Sequence, residues 1–355
     1  MTTGVIIGAG WVAQNCYLPA FKKLGISLGA AADISIEAAK RLTEQSGGLA
    51  VTTIEEALLQ RPDICVIATP NFLHARQSLE ALIYSGLVLC EKPLAVSLGE
   101  LALLKTAVLD DRLHISTPNR FRPDVIALMT AIKRGNIGDP LRVKITWRRK
   151  SGIPRPGSWY TNTALSGGGA LIDIGSHAID CGMMLLGFPQ CRSAHVLKAG
   201  LSDPDCPPGA DWMPSRAQDG GCFDVECSGR GNFGLDAGKL LEVDVSWNAI
   251  CGEDKTIIEV EGTAGCACLK TLFGYAPVNS FAPILTIWGK EGKRESVFSF
   301  TRSPAVDFGG MLGALLGQKN DGAPGPATFN EGIEVARMIM NGYQTAEFPW
   351  LAGLA

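Results

Sequence analysis

The sequence predicts an α/β chain, a doubly wound parallel sheet over its first third followed by an α+β domain with a mostly antiparallel sheet. Three observations carry that expectation. Short β-rich runs alternate with helical patterns as far as Thr117. The alternation gives way, near Asn119-Arg120-Phe121-Arg122-Pro123, to strands in succession. The length of 355 residues suits two domains of ordinary size. The division is placed at residues 1–122 and 123–355.

Val5-Ile6-Ile7 reads as a buried strand and Val12 to Leu24 as the helix after it. Ser27 to Ala32 is the next strand and Ile36 to Gln45 the next helix. Thr53-Ile54-Glu55-Glu56 has the capping-box form, in which Thr and Glu side chains satisfy N–H groups that a helix start leaves unpaired. Ile64 to Ala68 and Leu87 to Cys90 are unbroken apolar runs, as parallel strands covered on both faces require. Phe72 to Ser85 is helical between them, Ser97-Leu98-Gly99-Glu100 caps another helix, and Leu113 to Thr117 is a sixth strand. Beyond the helix Val125 to Arg134, the clearest strands are Leu141 to Arg148, Phe223 to Cys227, Leu240 to Trp247, Thr256 to Glu261 and Leu285 to Trp288. Leu201 to Gly221, rich in Pro, Gly and Asp, reads as an exposed loop, Ala323 to Pro326 as a turn, and Asn330 to Asn341 as a last helix.

Composition narrows the function classes. With 46% hydrophobic and 19% charged residues, the chain can build sizeable cores. A formal charge of -3 gives no field for a nucleic-acid backbone and no polybasic membrane patch. There is no run of ~20 apolar residues and no cationic segment before the first apolar stretch, so neither a spanning helix nor a secretory signal is expected. Eleven cysteines scattered through strands and helices read as reduced thiols of a cytoplasmic protein. Cys266-Ala267-Cys268 lacks a second pair or a His cluster and reads as two small strand residues, so no metal is expected.

Gly8-Ala9-Gly10-Trp11-Val12-Ala13 directly follows the first strand and opens the first helix. There Gly8 permits the turn, Gly10 lets a pyrophosphate reach the backbone, Ala13 keeps helix and strand close, and the helix start offers N–H groups to phosphate. Asp33, at the end of the second strand, suits the ribose hydroxyls and would repel a 2′-phosphate, so NAD is expected rather than NADP. Thr69-Pro70-Asn71 and Glu91-Lys92-Pro93 end two later strands on the edge where open α/β sheets bind ligands. Candidate cofactor contacts are Gly8, Gly10, Trp11, Val12, Asp33, Thr69, Asn71, His74, Glu91 and Asn119, with His74 equally readable as an ordinary helix residue. Lys92 is placed to polarise a substrate oxygen or relay a proton.

Ser166-Gly167-Gly168-Gly169 precedes a helix that carries Asp173, His177 and Asp180 on one face and Leu171, Ile172 and Ile179 on the other. The glycines are expected to allow close approach of a ligand. The carboxylates are expected to orient His177 and favour its charged form, as an acid/base histidine needs.

The dinucleotide fingerprint, Glu91-Lys92-Pro93 and Gly168-Gly169…Asp173…His177…Asp180 together resemble the Gfo/Idh/MocA oxidoreductases, relatives of glucose–fructose oxidoreductase and inositol dehydrogenase. Arg120-Phe121-Arg122-Pro123, Gly135-Asn136-Ile137-Gly138 and Ile258 to Gly265 extend the resemblance through nearly the whole chain. It implies a Rossmann domain for NAD, a second domain whose large open sheet often forms the oligomer interface (homodimer or homotetramer), and an active site lined by Lys92, Asp173 and His177. It also implies sugars, cyclitols and their derivatives as substrates. On this reading the chain is a dehydrogenase of a secondary hydroxyl, in which either His177 or Lys92 takes the proton. Arg120, Trp159, Tyr160, Asn162 and Asp180 are candidate substrate contacts. Two alternatives stand beside it, a redox-neutral glycoside-cleaving enzyme of the same family and a non-catalytic dinucleotide sensor. The long Pro/Gly loop over 201–221 departs from the family's pattern.

Overall fold

A computed structural model describes residues 2–44, 46–201, 222–249, 253–274, 282–290, 292–300, 303–318 and 324–346. The loop expected over 202–221 and the start of the turn at Ala323 lie outside the described residues. The chain forms two compact units, Met1–Phe121 with Arg302–Ile333, and Arg122–Thr301 with Glu334–Ala355.

In the first unit, parallel strands β1 (Thr3–Ile7), β2 (Ser27–Ala32), β3 (Leu49–Val51), β4 (Ile64–Ile67), β5 (Leu87–Cys90) and β6 (Leu113–Ile115) stand in the order β6-β5-β4-β1-β2-β3. The helices are α1 (Leu18–Leu24), α2 (Ile36–Thr43), α3 (Ile54–Leu58), α4 (His74–Tyr84) and α5 (Leu98–Ala107). Thr53 Oγ1 and Ser97 Oγ accept from the backbone N–H groups of Glu56 and Glu100, so both expected caps are made. The helix expected over Val12 to Leu24 is not uniform: Ala13–Tyr17 winds as a π-turn before α1. The three-residue β3, Leu49-Ala50-Val51, is too short a run to announce a strand and occupies one sheet edge. The strand order reverses between β1 and β4, and Gly8, Asp33, Thr69 and Lys92 all follow the carboxyl ends of strands, where such a sheet binds ligands.

The second unit contains α6 (Pro123–Lys133), β7 (Pro140–Arg148), α7 (Thr163–Ser166), α8 (Ala170–Leu186) and β8 (Cys191–Leu201). Then come β9 (Glu226–Leu235), β10 (Leu240–Ser246), β11 (Lys255–Gly262), β12 (Gly265–Thr271), β13 (Ile284–Gly289) and β14 (Gly292–Val297). The eight strands run β14-β13-β12-β11-β7-β10-β9-β8, antiparallel except for the β7–β10 pair. Alternation along β7 buries Val143, Ile145 and Trp147 beneath α8 and turns Arg142, Lys144 and Arg148 to the other face. On that face Arg142 pairs with Glu242 and Glu261, and Arg148 with Asp244. Cys266 and Cys268 lie in β12, as the sequence leads one to expect. The segment Thr163–Leu186 is long and apolar enough to cross a membrane, but 83% of its apolar window is buried, as befits a core helix.

The return of 302–333 to the first unit differs from the expected block 123–355. Helix α9 (Pro304–Leu315) sets Phe308 edge-on to Tyr17 at 5.0 Å, and Met311 Sδ accepts the Thr117 N–H. The two-residue strand β15 (Ala327–Thr328) pairs antiparallel with β6. A helix with three glycines and a strand of two residues carry no periodic signal that would assign them. The last helix, α10, runs Phe329–Gln344.

Candidate active site

In the first unit β1 delivers the chain to Gly8, whose φ of +93° suits glycine and whose added Cβ would lie 2.5 Å from the Ala68 carbonyl oxygen. Around Gly10 the opposite holds, since a Cβ there would meet nothing within 4 Å. Asp33 is pinned beside this turn: Oδ2 accepts the Ala9 N–H (2.8 Å) and Oδ1 the Ser35 N–H (2.9 Å). The residues therefore fit a dinucleotide, with a tight turn, open space at Gly10 for a pyrophosphate and a fixed carboxylate. Trp11 and Val12, both half-buried, begin the helix from this loop.

Two candidates on this edge do other work. His74 is buried (1% exposed), with Nδ1 2.7 Å from the Pro93 carbonyl and Nε2 2.8 Å from that of Thr69. It thus braces two strand-end loops, and burial pushes its pKa down. Arg120 (3% exposed) pairs with Glu331 at 3.0 Å. Asn71 and Asn119 are also buried, while Thr69 donates its hydroxyl to Gln77 Oε1.

Glu91 accepts from the Tyr17 hydroxyl at 2.6 Å and from the Lys92 N–H at 3.3 Å. Tyr17 comes from the π-turn, so the helix after the glycine loop reaches the Glu-Lys-Pro turn through one buried phenol. Burial pushes the Glu91 carboxyl up and the Tyr17 phenol well above its ordinary range.

In the second unit α8 presents Asp173 and His177 half-exposed, one turn apart, whereas Asp180 is buried. Asp173 Oδ2 accepts the indole N–H of fully buried Trp247 at 2.9 Å, and the His177 ring lies 6.1 Å from that of Trp147. One carboxylate oxygen of Asp173 is thus fixed by a buried indole. The glycines before α8 have a different cause from the one expected: a Cβ at Gly169 would meet the Glu226 carbonyl oxygen at 1.9 Å, and one at Gly168 the Tyr343 hydroxyl at 2.3 Å. Packing within the unit is by itself enough to require glycine at 168 and 169. Trp159 and Tyr160 stack at 3.7 Å, while Asn162 spends its amide oxygen on the Ala164 N–H as the cap of α7. Tyr17, Trp247, Glu226 and Tyr343 escape a sequence reading because each acts across at least 50 residues or sits in no motif. Among the described residues, no group of three or more His, Cys, Asp or Glu is placed to hold a metal.

Comparison with known proteins finds relatives along most of the chain. A family described as oxidoreductases with an NAD-binding Rossmann fold matches residues 3–114, and the GFO/IDH/MocA C-terminal domain matches residues 125–268. D-glucoside 3-dehydrogenase of Escherichia coli is 30% identical over 249 residues, 68% of this chain and 69% of that protein. A protein of Amycolatopsis mediterranei, provisionally named the oxidoreductase subunit of a UDP-kanosamine synthase, is 27% identical over 96% of this chain and 95% of its own length. Among solved structures, levoglucosan dehydrogenase in complex with NADH and levoglucosan superposes with a TM-score of 0.75 at 20% identity, covering 97% of this chain and 96% of that one.

Proposed function

The chain belongs to the Gfo/Idh/MocA oxidoreductases, and on that premise we propose that it oxidises a secondary hydroxyl of a sugar, cyclitol or aminocyclitol derivative, or reduces the matching ketone. The observation that carries the reading is a dinucleotide loop with a pinned Asp33 in one unit and, in the other, a helix offering Asp173 and His177. Gly8, Gly10 and Asp33 would hold the cofactor, and bound NAD supplies the hydride acceptor. In the oxidative direction His177, oriented by Asp173, takes the hydroxyl proton. Lys92, with its backbone N–H held by Glu91, stabilises the oxygen as negative charge develops on it. The stacked Trp159 and Tyr160 offer an apolar face of the kind a sugar ring packs on. In the same reading the protein is cytoplasmic and works as a homodimer or homotetramer, which light scattering on the purified protein would test.

The test of the activity is a panel of glucosides, free sugars, inositols and aminocyclitols incubated with NAD and followed by NADH absorbance. The reading expects turnover on at least one cyclic polyol and its loss in His177→Gln. If none is turned over in either direction, the reading fails.

A further inference from the structure

Helix α8 begins without a local side-chain cap, since Gly169 at its start has no side chain to offer. The first N–H groups of a helix need acceptors when buried, and here they find one far away in sequence. Glu226, at the start of β9 and 3% exposed, takes the Gly169 N–H on Oε2 and the Leu171 N–H on Oε1, each at 3.0 Å. The same Oε1 accepts the hydroxyl of Tyr343 from α10 at 2.7 Å. Lys198 of β8 lies over the Tyr343 ring, with Nζ 4.0 Å from the centroid, which brings a cation to the far side of the phenol. The glycine contacts described above show how closely this turn lies against Glu226 and Tyr343. Three donors from two segments converge on one buried carboxylate, and Asp173 lies one turn beyond.

We propose that Glu226, held by Tyr343, is the positioning residue that sets the first turn of α8 and through it the placement of Asp173 and His177. The proposal rests on the roles given to those two residues under Proposed function. Its physical basis is that two charge-assisted bonds from a rigid strand fix the height and rotation of a helix end better than solvent would. A shift of about 1 Å in a catalytic group can cost on the order of 10²-fold in rate.

Three variants of the full-length protein separate position from charge. Glu226→Gln keeps the shape but puts an amide N–H₂ against one of the two backbone donors. Glu226→Asp keeps the charge and loses the reach. Tyr343→Phe removes only the phenol's bond. The first two should lower kcat roughly 10- to 100-fold and the third less, with NAD affinity within about twofold of the unmodified protein. A second readout needs no turnover. The chain has four histidines, so ring-proton NMR can follow each one's titration, with His177→Gln assigning its signal. Asp173 one turn away favours the charged imidazole, so loosening the turn should move the His177 titration to lower pH in all three variants.

If Glu226→Asp turns over normally and leaves the His177 titration in place, charge alone matters and the positioning role is overturned. Unchanged kcat and titration in Glu226→Gln and Tyr343→Phe, with only thermal stability reduced, would make the carboxylate a purely structural cap. If His177→Gln and Asp173→Asn themselves keep full turnover, the fault lies in the proposed roles. If they lose it while the Glu226 and Tyr343 variants keep theirs, this inference alone fails.

Discussion

Replacing Trp247 by Phe should damage catalysis and stability by separable amounts. The indole N–H donates to Asp173 Oδ2 at 2.9 Å, and Trp247 is 0% exposed. A hydrogen bond to a charged group contributes about 1.5–3 kcal/mol, and the half-exposed Asp173, which water can reach in the variant, favours the lower figure. Trading indole for phenyl in a packed core costs roughly another 1–2 kcal/mol in lost contacts and cavity. Unfolding should therefore become easier by about 2.5–3.5 kcal/mol in urea titrations. Turnover should fall separately, by roughly tenfold, because Asp173 retains its charge but loses the bond that fixes one oxygen. In a cycle with Asp173→Asn the two losses of kcat should be clearly less than additive, since both act through one carboxylate. A Trp247→Phe protein that is destabilised as calculated but turns over within twofold of the original would refute the claim that this bond prepares the acid/base pair.

Asp33→Ala should leave NAD binding weaker and narrow the preference over NADP by roughly 10- to 100-fold, since a carboxylate within a few Å of a 2′-phosphate costs a few kcal/mol even when partly screened. Fluorescence titration with both cofactors reads this, and equal affinities in the unmodified protein contradict it. Lys92→Ala should lower kcat by about 10²–10⁴ with NAD affinity nearly unchanged; normal turnover would reassign Lys92 to structure. The Glu91 carboxyl is raised above 4.5 chiefly by burial, so its folded form holds a proton that the unfolded chain has released. Its contribution to stability is present below that unfolded value and is lost as pH rises through the folded one. Glu91→Gln should therefore gain stability relative to the original as pH rises from about 4.5, and a constant difference across that range would sink the idea.

Features that depend on short-range spacing were legible in the sequence. The glycine turn, Asp33, the capping boxes at Thr53 and Ser97 and the apolar runs of β4 and β5 each fix a local structure through neighbours a few residues away. The site was legible only where a motif carries it. Glu226 meets α8 across more than 50 residues, and Trp247 meets Asp173 across 74. Their residue types are ordinary for a strand, so nothing in spacing or composition marks them. The glycines before α8 show the same limit: a glycine reports that something comes close, and only the structure brings in Glu226 and Tyr343. The buried partners of His74 and Arg120, the Pro93 and Thr69 carbonyls and Glu331, were not legible for the same reason.

Hydride transfer is the central claim, and isotope tracing tests it most directly. A cyclic polyol that the protein turns over is prepared with deuterium on its carbinol carbons and incubated with NAD, and the cofactor is analysed by mass spectrometry. The account predicts one deuterium in each NADH formed, one ketone per NADH, and loss of both in His177→Gln. Cleavage of a glycoside without net NADH would instead favour the redox-neutral chemistry, and NADH free of deuterium would contradict direct transfer from the hydroxyl-bearing carbon.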